Sequence, residues 1–353
     1  MLNLVVSIIV SFCIALLLMP ILIKIAHDRK LFVPITYRRV HKGNVSSLGG
    51  IAVIIGTFFS LIIFEHSIDF FNIKYLFSAF VIMFLIGVRD DLQSVNAYIK
   101  LLGQLLVAIL LVYISNFRIV SLQGLFGLDD LSFFQSNVVS IFLIILIINA
   151  YNFIDGIDLQ ASLIALALFI PLGIWFHVND QIDYAILSLC LSGALMAFAI
   201  YNYPPSKIFL GDTGTMIIGL ILSFVVIRFV NLASFKDIHI LIYNPIVVFL
   251  GTFSIQILDV FRVAIMRIYK GNSPLKADKN HLHHLMLKLD WSQKKIAFVN
   301  MFLLLCMMFL NIFMQSVILN PNLQLSINIV IVMLLFMVII QKVKAQKKLP
   351  KEI

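Results

Sequence analysis

Charged side chains are scarce: Asp, Glu, Lys and Arg make up 12% of the 353 residues. A soluble domain carries about twice that share, which excludes the water-soluble classes. Cysteine is nearly absent. Cys13, Cys190 and Cys306 all fall inside apolar runs, so a disulfide-built scaffold is excluded and the redox compartment stays unread. The long runs lack the strict alternation of a membrane β-barrel. No basic stretch precedes Leu2 and no small-residue cleavage site follows the first run, so that run is expected to stay as a span. No nucleic-acid-binding motif accompanies the formal charge of +9, which argues against DNA or RNA as a partner.

What the chain has instead is apolar length. Hydrophobic residues form 61% of it, and the mean hydropathy is +1.06. A hydrocarbon core takes about 20 apolar residues as a helix. Runs near that length cover 2–23, 48–64, 74–88, 99–115, 136–151, 161–176, 184–200, 215–230, 241–265, 296–318 and 325–341. The expected fold is all-α: a polytopic membrane helical bundle of about 11 transmembrane helices, one domain over 1–341, with a basic tail at 342–353. Loops 24–47, 89–98, 152–160, 201–214 and 266–295 then share one side. With the tail those loops hold 20 of the 26 Lys and Arg, and Lys100 and Arg262 at the adjoining run ends bring that side to 22; Lys74, Arg118 and Lys236 fall opposite and Arg228 falls within a run. The positive-inside rule puts those loops and the C-terminus in the cytoplasm and the N-terminus outside. Weak alternation over 118–122, with Gly124 and Gly127 as turn residues, suggests a small hairpin on the outer side.

The unusual polar residues collect on the cytoplasmic side. Asp90 and Asp91 follow the third run, with Lys100 beyond them, and Asn149, Asn152, Asp155 and Asp158 end the fifth. Asp212 lies in the Phe-Leu-Gly-Asp-Thr-Gly stretch at 209–214, and Lys279, His281, His283 and His284 lie in the last long loop. A carboxylate at the centre of a lipid-facing helix costs roughly 2.5–3.5 kcal/mol, so these residues belong at a membrane exit or in a watered cleft. Asn149, Asn152 and Asp155 are three apart and would form one stripe if the helix continues. Asp90, Asp91, Asp155, Asp158 and Asp212 beside basic loops suit Mg²⁺ and phosphate, because hard oxygen ligands hold the ion and cations offset the phosphate charge.

Blander readings compete. Asp90 and Asp91 also fit a solvated flank, and 211–214 a turn with a helix cap. The three histidines lack the His-Glu-x-x-His spacing and have no cysteine nearby, which disfavours Zn²⁺. Asp259 and Arg262, one turn apart, are expected to pair with each other. A secondary transporter would instead carry its charges near mid-span, and a non-catalytic membrane scaffold would not need the carboxylates at all.

Taken in order, these stretches resemble the polyprenyl-phosphate N-acetylhexosamine-1-phosphate transferases, the glycosyltransferase 4 family. The resemblance rests on Arg39 and His41, Leu48-Gly49-Gly50, Asp90-Asp91 with Lys100 and Gln104, the 149–158 motif, 209–214, and Asp259 through His284. The broken pattern His281-Leu282-His283-His284 is similar to the WecA-like branch, which uses simple amino sugars, rather than to the MraY-like branch with three consecutive histidines. Leu159 and Gln160 depart from the family's usual Gly-Leu, and Lys279 from its usual Arg.

The resemblance implies transfer of N-acetylhexosamine-1-phosphate, GlcNAc-1-phosphate first, from the UDP-sugar to undecaprenyl phosphate, with release of UMP, starting a cell-surface polysaccharide. It implies Mg²⁺, with Mn²⁺ as a substitute, on Asp212, Asp91 and Asp155, and catalytic roles for Asp90, Asp91 and Asp212. Asn149, Asn152, Asp155, Asp158, Lys100, Lys279, His281, His283 and His284 would bind substrate. The expected setting is the inner membrane with the site facing the cytoplasm, and a homodimer is compatible. Direct attack by the lipid phosphate and a two-step route through a carboxylate both fit.

Overall fold

Apolar runs that lack charge must satisfy every backbone group within themselves in lipid, and in this chain they do so as helices. The computed structural model describes residues 2–31, 45–64, 70–232, 239–274 and 280–348. Thirteen α-helices are described: α1 (Leu2–Asp28), α2 (Gly49–Phe64), α3 (Phe70–Leu92), α4 (Ala97–Ile109), α5 (Phe133–Asn152), α6 (Gln160–Val178), α7 (Ile182–Tyr201), α8 (Gly211–Leu232), α9 (Pro245–Thr252), α10 (Ser254–Tyr269), α11 (Leu282–Leu287), α12 (Gln293–Val317) and α13 (Pro321–Lys348). A π-helical turn, Leu110–Ile114, extends α4.

The all-α polytopic expectation holds. Among the described residues eight helices are long and apolar enough to cross a membrane: α1, α4 with its π-turn, α5, α6, α7, α8, α12 and α13. The bent pair α9 and α10 makes a ninth, and α2 is a shorter apolar helix of 16 residues.

Local signals fix the helix ends. Ser132 accepts from the Gln135 N–H while Gln135 reaches back to the Ser132 N–H, a reciprocal cap for α5. Asn96 and Ser292 cap α4 and α12 by one bond each, their side chains accepting the Tyr98 N–H and the Lys295 N–H.

Residues 241–265 were expected as one span, and here the structure differs. α9 and α10 meet at a bend of 63°. Phe253 breaks the helix at φ −93°, ψ 10°, flanked by Thr252 and Ser254, whose hydroxyls take the carbonyls of Val248 and Gly251 at 2.7 and 2.6 Å. Hydroxyls that compete for helix carbonyls favour such kinks, and hydropathy cannot register them. The hairpin expected near 118–122 is present as a short one, with a Ser121–Asp130 bridge and Leu122 N–H donating to the Asp129 carbonyl at 2.9 Å.

α8 is the core of the bundle. Nearly all of it is buried, and it packs against α2, α3, α5, α6 and α9. Its first turn comes so close to α2 and α3 that side chains are excluded: a methyl on Gly214 would lie 2.8 Å from the Gly50 Cα. The N-terminal end of α8 is therefore closely held by its neighbours. The polar residues gather there.

Candidate active site

The centre joins three helix ends. Asp90 and Asp91 stand in the last turn of α3, Lys100 in the first turn of α4 and Asp212 in the first turn of α8. Both carboxylate stretches were expected in loops; the structure draws them into helices, which fixes their directions. Lys100 Nζ donates to Asp90 Oδ2 at 2.6 Å and also to Asp212 Oδ2. Asp90 Oδ1 accepts the Val95 N–H at 2.6 Å. The side chain of Asp212 is 30% exposed and that of Asp90 12%, so Asp212 is the more open of the two.

Asp91 is used differently. Its Oδ1 accepts the Asp212 N–H at 2.8 Å, and its Oδ2 accepts the Thr213 N–H at 3.0 Å and the Thr213 hydroxyl at 2.6 Å. These are the N–H groups that the start of a helix leaves unpaired, so Asp91 caps α8 from a neighbouring helix and meets the positive end of its dipole. Gly211, at φ 75°, lets the chain turn sharply into this cap.

The end of α5 forms the adjoining wall. Asn149 Nδ2 donates to Gln104 Oε1 on α4 at 2.6 Å, and Asn152 Nδ2 donates to Thr215 Oγ1 on α8 at 2.7 Å. α5 stops at Asn152, so the helix that would have aligned Asp155 with Asn149 and Asn152 does not continue. Asp155 lies half-buried in the following turn. Asp158, only 1% exposed, accepts the Ser206 N–H at 3.3 Å, while its own N–H donates to Gln293 Oε1 at 3.0 Å.

The histidines form a third side. His281 Nδ1 lies 2.9 Å from Asp259 Oδ2, and the ring stacks on Phe153 with centroids 5.2 Å apart. Asp259 also takes Arg262 Nη2 at 2.6 Å, as expected, and the Leu282 N–H at 3.0 Å. His283 stacks on His281 at 6.0 Å and packs onto Gly156, where a Cβ would lie 2.6 Å from its Cε1. Burial pushes its imidazole well below the usual histidine range, so it is held neutral. Of the expected site residues, Lys279 lies outside those described.

The sequence reading missed the ties between distant segments: Asp259 to His281, and Asn202 to both Leu159 and Ile208. The available signal was a polar residue inside or at the end of an apolar run, which marks a buried group in need of a partner.

Two carboxylates gathered round one ammonium where membrane helices end are groups that suit a metal ion and a phosphate. Residues 73–230 match the model of glycosyl transferase family 4.

The curated relatives agree. The chain is 27% identical over 268 residues, covering 74% of this chain and 71% of its partner, to an undecaprenyl-phosphate alpha-N-acetylglucosaminyl 1-phosphate transferase of Yersinia pestis. It is 28% identical over 272 residues, 74% and 70%, to a protein of the same description from Escherichia coli O157:H7. A decaprenyl-phosphate N-acetylglucosaminephosphotransferase of Mycolicibacterium smegmatis is 27% identical over 282 residues, 73% and 69%.

Proposed function

We propose that the chain transfers N-acetylhexosamine-1-phosphate, GlcNAc-1-phosphate by preference, from a UDP-sugar to undecaprenyl phosphate. In net terms the sugar-linked phosphorus exchanges its bond to an oxygen of UMP for a bond to a phosphate oxygen of the lipid, and UMP leaves. The observation that carries this reading is the Asp90–Lys100–Asp212 centre at the ends of membrane helices. A lipid-borne acceptor and a water-soluble donor can meet only at such an end. The excess of Lys and Arg in the neighbouring loops supports an orientation with this end in the cytoplasm, beneath an inner membrane.

Mg²⁺ suits this donor set. The ion is usually held by one or two carboxylates plus substrate phosphates, so a closed protein cage is not required. Among the described residues no three His, Cys, Asp or Glu converge as such a cage. Asp212 would hold the ion, with Asp90 and Asn152 beside it, where a lysine ammonium already marks a place for positive charge between two carboxylates. Bound there, Mg²⁺ would offset charge on the diphosphate.

In this reading Asp91 keeps Asp212 in position through the α8 cap, and Asp90 with Lys100 receives the lipid phosphate. His281, oriented by Asp259, faces the donor diphosphate, and the resemblance assigns Lys279 to the same ligand. His283, neutral and buried, supports the Gly156 turn from beneath.

The test is purified protein in detergent with undecaprenyl phosphate, Mg²⁺ and labelled UDP-sugars. UDP-GlcNAc or a close N-acetylated relative should give lipid product and UMP. Preferential transfer from UDP-MurNAc-pentapeptide, or no transfer from any donor, would overturn the reading.

A further inference from the structure

Two segments lead to the carboxylates that frame the donor side of the site. One, 153–159, runs from α5 through Asp155 and Asp158 into α6; the other, 202–210, runs from α7 towards Asp212. Asn202 joins them. It is 5% exposed, its Oδ1 accepts the Leu159 N–H at 2.7 Å, and its Nδ2 donates to the Ile208 carbonyl at 2.9 Å. The bond from Ser206 N–H to Asp158 runs alongside. Beyond Ile208 the second segment is fixed: Phe209 N–H donates to the Ser46 carbonyl at 2.8 Å, and Gly49 N–H donates to the Phe209 carbonyl at 2.9 Å.

Leu159 is held in an unusual state. Its backbone sits at φ 66°, ψ −22°, the left-handed region that a residue with a Cβ avoids, and its side chain is buried. Such a residue relaxes unless its surroundings over-determine it. The surroundings here are a buried side-chain pocket and the Asn202 carbonyl. Asn202 also ends α7, but its own N–H serves that end by bonding the Phe198 carbonyl at 2.9 Å, as any residue would. Its side chain is spent wholly on the two segments, and a capping role does not account for that.

We infer that Asn202 is a positioning residue for the donor half of the site, holding Leu159 at positive φ and so fixing the Asp155–Asp158 turn relative to Asp212. This rests on the proposed function for its kinetic consequences and on geometry alone for its structural ones.

The experiment compares wild type, Asn202→Ala, Leu159→Gly and the double variant in lipid nanodiscs, by transfer kinetics and by hydrogen exchange of the 153–163 backbone. Asn202→Ala should raise the KM for the UDP-sugar roughly tenfold or more, the scale of a buried N–H and carbonyl losing their partner, with the KM for undecaprenyl phosphate within about twofold. It should also speed exchange at 153–163. Leu159→Gly placed on Asn202→Ala should recover much of both losses, because glycine keeps positive φ unaided.

Equal changes in both KM values, or a double variant no better than Asn202→Ala, would overturn the inference. If wild type turns over no UDP-sugar, the functional reading fails and the exchange comparison still decides this one. Should Asn202→Ala not fold, Asn202→Asp keeps the acceptor for Leu159 and loses the donor to Ile208; unchanged exchange at 206–210 in that variant would also overturn it.

Discussion

Gly87 on α3 faces the first turn of α8, one turn before Asp90 and Asp91. A methyl group added there would lie 2.5 Å from the Thr213 Cα and 2.9 Å from the Thr213 nitrogen. Ordinary contact begins near 3.4 Å, and the obstacle is backbone that cannot rotate aside, so Gly87→Ala must part α3 from α8 by roughly 1 Å. Overpacking of this kind costs about 1–3 kcal/mol of stability. The larger effect falls on chemistry. The displaced residues are Thr213 and, beside it, Asp212, whose N–H groups are bonded to Asp91 at 3.0 and 2.8 Å. A 1 Å misplacement of a reacting group is worth about a hundredfold in rate. Transfer of labelled sugar phosphate to undecaprenyl phosphate should fall by about that factor, while a thermal melt still shows folded protein. Gly103→Ala is the control, because its methyl meets only the tip of Ile86, which can turn away, and activity should stay within about twofold. Retention of roughly a third of wild-type turnover by Gly87→Ala would refute the claim that these helices set the position of Asp212.

Leu159→Gly should be more stable than Leu159→Ala by about 1–2 kcal/mol in chemical unfolding, because both lose the same buried side chain and only alanine keeps the left-handed strain. Equal stability would show that the turn carries none. Asp212→Asn should abolish Mg²⁺-dependent transfer and leave the fold intact, since an amide oxygen is a poorer Mg²⁺ ligand, and near-normal turnover would exclude Asp212 from metal binding. Single cysteines at Asp180 and Lys207, with Cys13, Cys190 and Cys306 replaced, should react with impermeant reagent from opposite sides of the membrane, Lys207 from the cytoplasm; labelling from one side would sink the topology. His283 resists protonation in the fold while an unfolded histidine gains a proton near pH 6.5, so stability should fall as pH drops below that value. His283→Phe should make that fall shallower by up to about 1.4 kcal/mol per pH unit, and an unchanged slope would show that His283 titrates normally.

The helices were legible because lipid imposes a length on apolar runs, and the hairpin after α4 was legible because Gly124 and Gly127 mark turns. The break at Phe253 was not, because Thr252 and Ser254 barely change hydropathy while their hydroxyls compete with the helix ladder. At the site, residue types were readable and partnerships were not. Asp90 and Asp91 are adjacent and chemically identical, yet one bonds a lysine and the other caps α8. Which does which depends on the direction each Cβ takes from the last turn of α3, a matter of a 100° rotation per residue. Likewise Asp259 was paired correctly with Arg262 by spacing, while its bond to His281 spans 22 residues and leaves no periodic trace.

The burial of α8 bears on how the chain is assembled. Four of the five helices that enclose it, α2, α3, α5 and α6, precede it in the sequence, and α9 follows. During synthesis the first seven helices therefore reach the membrane with a vacant slot between them, edged at one end by Gly50 and Gly87. α8 carries Arg228, which in the finished protein bonds Gln181 at the α6–α7 connection and never needs to face lipid. Until α8 docks Asp212 has no fixed place and Asp91 has no helix end to cap, so a nascent chain that ends before residue 211 holds an open groove where the completed one brings Asp90, Lys100 and Asp212 together.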